Sequence, residues 1–418
     1  MCRLQRRQAR AACRVPLAWR VDARRGKLCC RGSREVNRAA PVLRPPRQPK
    51  DPILQSRYQG CLLGGAVGDA LGAPIEFMSA TGVRKTFGEQ GIQEYVHAFG
   101  RLGAITDDTQ MTLFTAEGML RACIRDSLRG LCHGPSVMSF AYLRWLKTQG
   151  VPHALHEDCS NGWLLEHEVL FARRAPGSTC ISSLQEMRSM GELARNASKG
   201  CIAAVRVAPI GMFNGAFATD VEQGHGCAID AFDFACEVAA LTHGHPTAQL
   251  AAGYFAALIS RVVRGIPLRR AVDEVIPILE RRAHAAEVVG AIEAAVNLAE
   301  REPNNRKVLK QLGRGWAAHE ALAIALYCAL STRDLRSGIE LAVNHGGDSD
   351  STGSMAGNLL GAIHGDASIP SSWLDPLEAR ELIAAVADDL LTVADWEIDP
   401  HYEASEDRDF YCARYPGG

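Results

Sequence analysis

Gly60-Cys-Leu-Leu-Gly64-Gly65-Ala-Val-Gly68-Asp69-Ala-Leu-Gly72 sets a glycine at every fourth position of an apolar run with helical spacing, Ile53 to Leu71. Each glycine costs a helix about 1 kcal/mol relative to alanine. Four on one stripe need compensation, and the close approach of another backbone supplies it. A matching stripe, Gly353, Gly357 and Gly361 with Ala356 beside it, lies near the other end of the chain. The two stripes predict two helices that cross closely, backbone on backbone, in the middle of the fold, along their i±4 ridges.

The second stripe follows His345-Gly-Gly-Asp348-Ser349-Asp350-Ser351-Thr352-Gly353. A helix start takes Asp or Ser as a cap. Two Asp, a Ser and a Thr in five residues exceed that need. Hard oxygen donors packed this densely suit Mg²⁺ or Mn²⁺, although an over-capped helix or a solvated loop would use the same residues. Thr106-Asp107-Asp108-Thr109 repeats the grammar ahead of the apolar run Met111, Leu113, Phe114, Ala116, Met119 and Leu120. Facing each other across one cleft, the two openings would offer four carboxylates and several hydroxyls, enough for two divalent cations. Unneutralised, such carboxylates would repel one another and take up protons.

The 418 residues are 47% hydrophobic and 22% charged, a globular composition. The net charge of −1 hides an asymmetry: residues 1–50 hold 15 Lys and Arg against Asp22 and Glu35, leaving an acidic body. This basic head, with Pro41, Pro45, Pro46 and Pro49 at its end, reads as disordered when free. It lacks the apolar stretch of a secretory signal. A transit peptide, a partner-binding arm and sequence upstream of the true start codon all fit it. The 14 cysteines form no C-x-x-C pair and no disulfide framework. Reduced thiols and a cytoplasmic location are therefore expected. No apolar run approaches the length of a membrane span, and neither a membrane nor a nucleic acid is an expected partner.

Helical periodicity also marks 107–127, 135–148, 227–241, 247–263, 268–280, 285–299, 305–312, 316–330 and 378–392. Residues 79–105 read as a loop, and Trp396 onward as a polar tail. Convincing alternating strands are missing, so the fold class is all-α. The expected organisation is a basic extension over 1–50, one body over 51–396 and a tail over 397–418. The Walker, dinucleotide-binding and G-x-S-x-G patterns are absent. Ser198-Lys199-Gly200, with Arg206 six residues on, could hold an anion on backbone amides and a hydroxyl. A surface loop would look the same. His243 ends a helix, where the dipole alone would favour it.

Five motifs in order, Gly60–Gly72, Thr106–Thr109, Ser198–Gly200 with Arg206, Gly313-Arg-Gly-Trp316-Ala-Ala-His-Glu320, and Gly347–Ser351, resemble the ADP-ribosylglycohydrolase family. That family includes dinitrogenase-reductase-activating glycohydrolases and ADP-ribosyl-acceptor hydrolases. The resemblance covers residues 53–395 and leaves out the basic head. It implies a single large orthogonal helical bundle with two divalent cations, Mg²⁺ or Mn²⁺, held by Thr106, Asp107, Asp108, Asp348, Asp350 and Ser351. Thr352 falls one position late for that set. Glu76 falls where relatives place a carboxylate that gates the site. Ser198, Lys199 and Gly200 fall on the diphosphate loop, and His243 on the cleft wall. The implied reaction is hydrolysis of the N-glycosidic bond of an ADP-ribosylated protein, with arginine the commonest linkage. One of Asp107, Asp348 or Asp350 would deprotonate the water. Some members are immunity proteins that reverse or physically block ADP-ribosyltransferase toxins, and the basic head brings that alternative into play. A non-catalytic relative, as among the crystallins, fits poorly with an intact ligand set.

Overall fold

The computed structural model describes residues 45–155, 159–218, 221–399 and 405–417, apart from the side chains of 221–223. Among these the chain is helical and contains no strand, only isolated bridges such as Gly200 with Ala317. The helices include α1 (Pro52–Gly72), α2 (Asp107–Arg129), α3 (Gly134–Thr148), α4 (Ala208–Ala216), α5 (Val221–Ala240), α6 (Pro246–Val262), α7 (Leu268–Glu280), α8 (Ala286–Arg301), α9 (Ala318–Ser331), α10 (Leu335–Val343), α11 (Ser349–His364), α12 (Arg380–Thr392) and α13 (Glu406–Arg414). The fold is all-α, as expected.

Asp51 starts α1 by accepting from the amides of Ile53 and Leu54, with Pro52 as the first helical residue. The glycine stripe then lies directly on α11. A Cβ at Gly64 would sit 2.4 Å from the Gly357 carbonyl oxygen, and one at Gly357 would sit 2.0 Å from that of Gly64. Gly60 meets Gly361, Gly68 meets Gly353, and Gly72 ends against Ser349. As one chain ascends the other descends, so the helices are antiparallel. The contact runs the length of the stripe rather than crossing at a point. It sets the C-terminal end of α1 beside the N-terminal end of α11. α6 and α9 are buried on nearly every face and complete the core around the pair. α7 buries one face and exposes the other.

Three segments differ from the sequence reading. The loop expected over 79–105 contains a helix, Ala80–Phe87, capped by Ser79. It buries only Val83, too little to mark a period. Residues 306–311 are 3-10 rather than α. The chain after Trp396 is polar in sequence, yet α13 docks. Tyr411 and Tyr415 are fully buried, and the Trp396 ring stacks 3.7 Å from that of Tyr411. Arg47 pairs with Asp407 at 2.6 Å and ties residues 45–50 to this helix. The rest of the basic head, residues 1–44, lies outside the described residues.

Replacing Gly64 by Ala should cost about 1–3 kcal/mol in urea unfolding. Gly290 on α8 has open space around its α-carbon, so Gly290→Ala should be neutral or stabilising. Gly357→Trp should yield no soluble protein; normal folding would refute the backbone contact.

Candidate metal centre

Both acidic openings lie at helix N-termini, and the α1–α11 contact turns them toward each other. Thr106 is the N-cap of α2, with Asp107 and Asp108 in its first turn. Asp348 holds the N-cap position of α11, but its side chain caps nothing. Its carboxylate is left for the cleft. Ser351 Oγ donates to Asp108 Oδ2 at 2.9 Å and so joins the two openings. Glu76, four residues beyond α1, brings a carboxylate oxygen within 4.8 Å of those of Asp348 and Asp350. Asp107 accepts from the Gly177 amide at 3.0 Å.

The charges are strongly destabilised as they stand. Burial, with the neighbouring aspartates adding to it, pushes Glu76 up to about 9. Burial raises Asp107, Asp108, Asp348 and Asp350 as well, and the charge of Asp350 adds to the other three. Among the described residues none of these five carboxylates has a Lys or Arg within ion-pair distance. A largely buried, multiply anionic pocket of carboxylates and hydroxyls, without a protein countercharge, fits hard divalent cations.

Two residues that the sequence reading gave no role support the site. Asp69, buried between Gly68 and Ala70, accepts from the Thr106 hydroxyl at 2.8 Å, from the Thr106 amide at 3.0 Å, and from Thr109. It shapes the first opening; burial, then Asp350, pushes it up to about 7. A lone carboxylate on a glycine stripe was the available signal. Cys201 donates its thiol to Asp348 Oδ2 at 2.7 Å and lies 3.5 Å from Ser351 Oγ. Nothing in the spacing of scattered cysteines pointed to it. Thr352 turns away, bonding the Ala342 and Asp348 carbonyls.

The Ser198–Gly200 loop borders the centre through Cys201. Asn196 pins it: its amide nitrogen donates to Ser183 and the Thr242 carbonyl, and its oxygen accepts from Ser198 and Gly244. Ser198 Oγ accepts from the Gly200 amide and contacts Thr179. A Cβ at Gly200 would lie 2.9 Å from His243 Nε2. His243 is fully buried, that nitrogen is unpartnered, and burial lowers the imidazole to about 3, so it is neutral. Lys199 points away, its ammonium 2.7 and 2.8 Å from the Glu287 carboxylate. The hydrogen bond from Lys199, then that from Thr247, holds Glu287 at about 2. Arg206 does not face an anion site, against the sequence reading. It is completely buried, 4.3 Å over the Tyr142 ring, and donates to Thr242 Oγ1 at 2.6 Å. The short helix Ile202–Val205 carries it inward beneath the loop.

The family model for ADP-ribosylglycohydrolase matches residues 50–399. The ADP-ribosyl-[dinitrogen reductase] glycohydrolase of Rhodospirillum rubrum is 25% identical, over 79% of this chain and 92% of its own length. The ADP-ribosylarginine hydrolase Tri1 of Serratia proteamaculans is 23% identical, over 81% of this chain and 80% of its own. A solved structure, an ADP-ribosylglycohydrolase-related protein complex, superposes with a TM-score of 0.54 at 25% identity, over 82% of this chain and all of that one.

The folded carboxyls titrate above their ordinary values of 3.8 and 4.5. Their protonated forms therefore favour the metal-free fold below about pH 4, and that contribution is lost as pH rises through about 7 and about 9. A bound cation favours the ionised forms instead. The rise in Tm caused by Mg²⁺ or Mn²⁺ over EDTA should therefore grow from about pH 5 to about pH 9. Thermal-shift measurements across that range check it, and Asp348→Asn should abolish the increment.

Proposed function

The chain belongs to the ADP-ribosylglycohydrolase family, and is a hydrolase of ADP-ribosyl bonds; we propose that it releases ADP-ribose from arginine-ADP-ribosylated protein in a reaction that requires two divalent cations. The observation that carries the reading is the set of uncompensated, buried carboxylates between the starts of α2 and α11. The names of the Rhodospirillum and Serratia relatives support a protein substrate, and the second supports the arginine linkage.

Thr106, Asp107, Asp108, Asp348, Asp350 and Ser351 would hold the cations, with Glu76 closing the open side. When bound, a divalent cation supplies Lewis acidity to ribose hydroxyls and to a water. The rest falls to the chain's own groups. The ionised carboxylates favour the positive charge that develops on the distal ribose as the C1″–N bond breaks. One of Asp107, Asp348 or Asp350 takes the proton of the attacking water while its oxygen bonds to C1″. The bond electrons and a proton go to the departing guanidine. The Ser198 hydroxyl and the backbone amides of its loop suit the diphosphate. His243, neutral and buried against Gly200, backs this loop without adding charge. Lys199 serves the loop by anchoring it to α8 through Glu287.

Release of free ADP-ribose from an arginine-ADP-ribosylated protein, with Mg²⁺, with Mn²⁺ and with EDTA, tests the proposal. Metal-dependent release is expected, and Asp348→Asn and Asp108→Asn should each lower it by at least about a hundredfold. Full activity in the double variant would refute the assignment.

A further inference from the structure

Phe77 follows Glu76 directly and is 78% exposed; Trp316 is 39% exposed. Their rings stack with centroids 5.8 Å apart and an 18° angle between planes. A phenylalanine left in water forgoes about 1.5–3 kcal/mol of burial, so core packing does not explain this one. Both rings stand on segments that build the centre. Glu76 joins Asp348 and Asp350. Beside Trp316, a Cβ at Gly315 would lie 3.2 Å from that of Asp348, and the Trp316 carbonyl accepts from the Cys201 amide at 3.2 Å.

Other aromatic rings of this protein carry an arginine of its own. Arg174 lies 5.7 Å over Phe99, Arg282 5.2 Å over Phe232, and Arg336 5.1 Å over Trp373. Among the described residues no arginine or lysine covers Phe77 or Trp316. The pair is an open π surface beside an anionic pocket, which is an environment suited to a planar cation.

Geometry narrows what could reach it. The adenosine half of ADP-ribose lies two phosphates away from the distal ribose. Phe77 is bonded to Glu76 and Trp316 follows Gly315, which packs on Asp348, so the pair borders the end of the ligand that the centre would hold, the distal ribose and the group attached at C1″. The ribose is neither planar nor charged, whereas an arginine guanidinium is both, is weakly hydrated and stacks on aromatic faces. We propose that Phe77 and Trp316 form the acceptor-side platform, on which the guanidinium of ADP-ribosyl-arginine stacks, and that they determine specificity for that linkage. The proposal rests on the arginine reading above.

The full-length protein with Mn²⁺ serves for the test. Phe77 is exposed, so Phe77→Ala, Phe77→Leu and Phe77→Tyr should fold normally. For an arginine-ADP-ribosylated peptide, the Ala and Leu variants should raise KM about threefold to thirtyfold, while Tyr stays near the parent. Affinity for free ADP-ribose, by calorimetry, should be unchanged in all three. A Leu variant equal to the parent would mean that bulk alone matters and would overturn the platform. So would unchanged KM in the Ala variant, or a parallel loss of ADP-ribose affinity. Failure of the parent itself on arginine adducts, with cleavage of serine-linked ones, would overturn the arginine reading and the platform with it.

Discussion

The contact between Gly64 and Gly357, with its repeats at Gly60–Gly361 and Gly68–Gly353, is the constraint on which the other features depend. At this separation no side chain fits between the two backbones, so the helices cannot slide or rotate without collision. That rigidity has a functional consequence. It fixes the end of α1 against the start of α11, and thereby brings Asp69 and Glu76 to Asp348 and Asp350. Carboxylates of one sign would spread apart in a softer scaffold. Here the helix packing holds them, and the packing energy offsets their repulsion.

The centre is therefore costly in its metal-free form. Burial and mutual repulsion push its carboxyls toward the protonated state, and the protein places no arginine or lysine among them. Positive charge does exist nearby, but it is used elsewhere. Arg174 is bound to Glu378, Arg206 sits on Tyr142, and Lys199 is held by Glu287. A protein lysine in the pocket would remove the electrostatic incentive for a divalent cation to bind. Leaving the negative charge uncompensated favours a cation as the missing partner.

The loops around the centre divide the work by chemistry. The Ser198–Gly200 loop, tied down by Asn196 and backed by neutral His243, offers amides and a hydroxyl. Glu76 and the exposed Phe77 lie at the end of α1, on the other approach. Trp316 links the two sides, because its carbonyl bonds Cys201 while its ring stacks on Phe77. The arrangement sets a loop of amides and a hydroxyl apart from an aromatic, acid-flanked edge.

Much of this was legible in the residues themselves. The four-residue glycine period predicted a backbone-to-backbone helix pair, and the repeated hydroxyl–carboxylate openings predicted a shared oxygen-rich centre, because both are local patterns with a direct physical meaning. Helix periodicity likewise marked α2, α3, α6 and α7 to within a few residues. Tertiary structure alone decided the rest. Cys201 reaches Asp348 from a distant segment, and no spacing announces such a contact. Lys199 and Arg206 sit in a motif suggestive of anion binding, but their directions depend on Glu287 of α8, Tyr142 of α3 and Thr242 in the turn after α5. The helix Ala80–Phe87 and the docked α13 bury too few residues to leave a period, so partners chosen in three dimensions, not local sequence, determine their place. A stripe is written along one helix, whereas the destination of a long charged side chain is set by whatever packs against it.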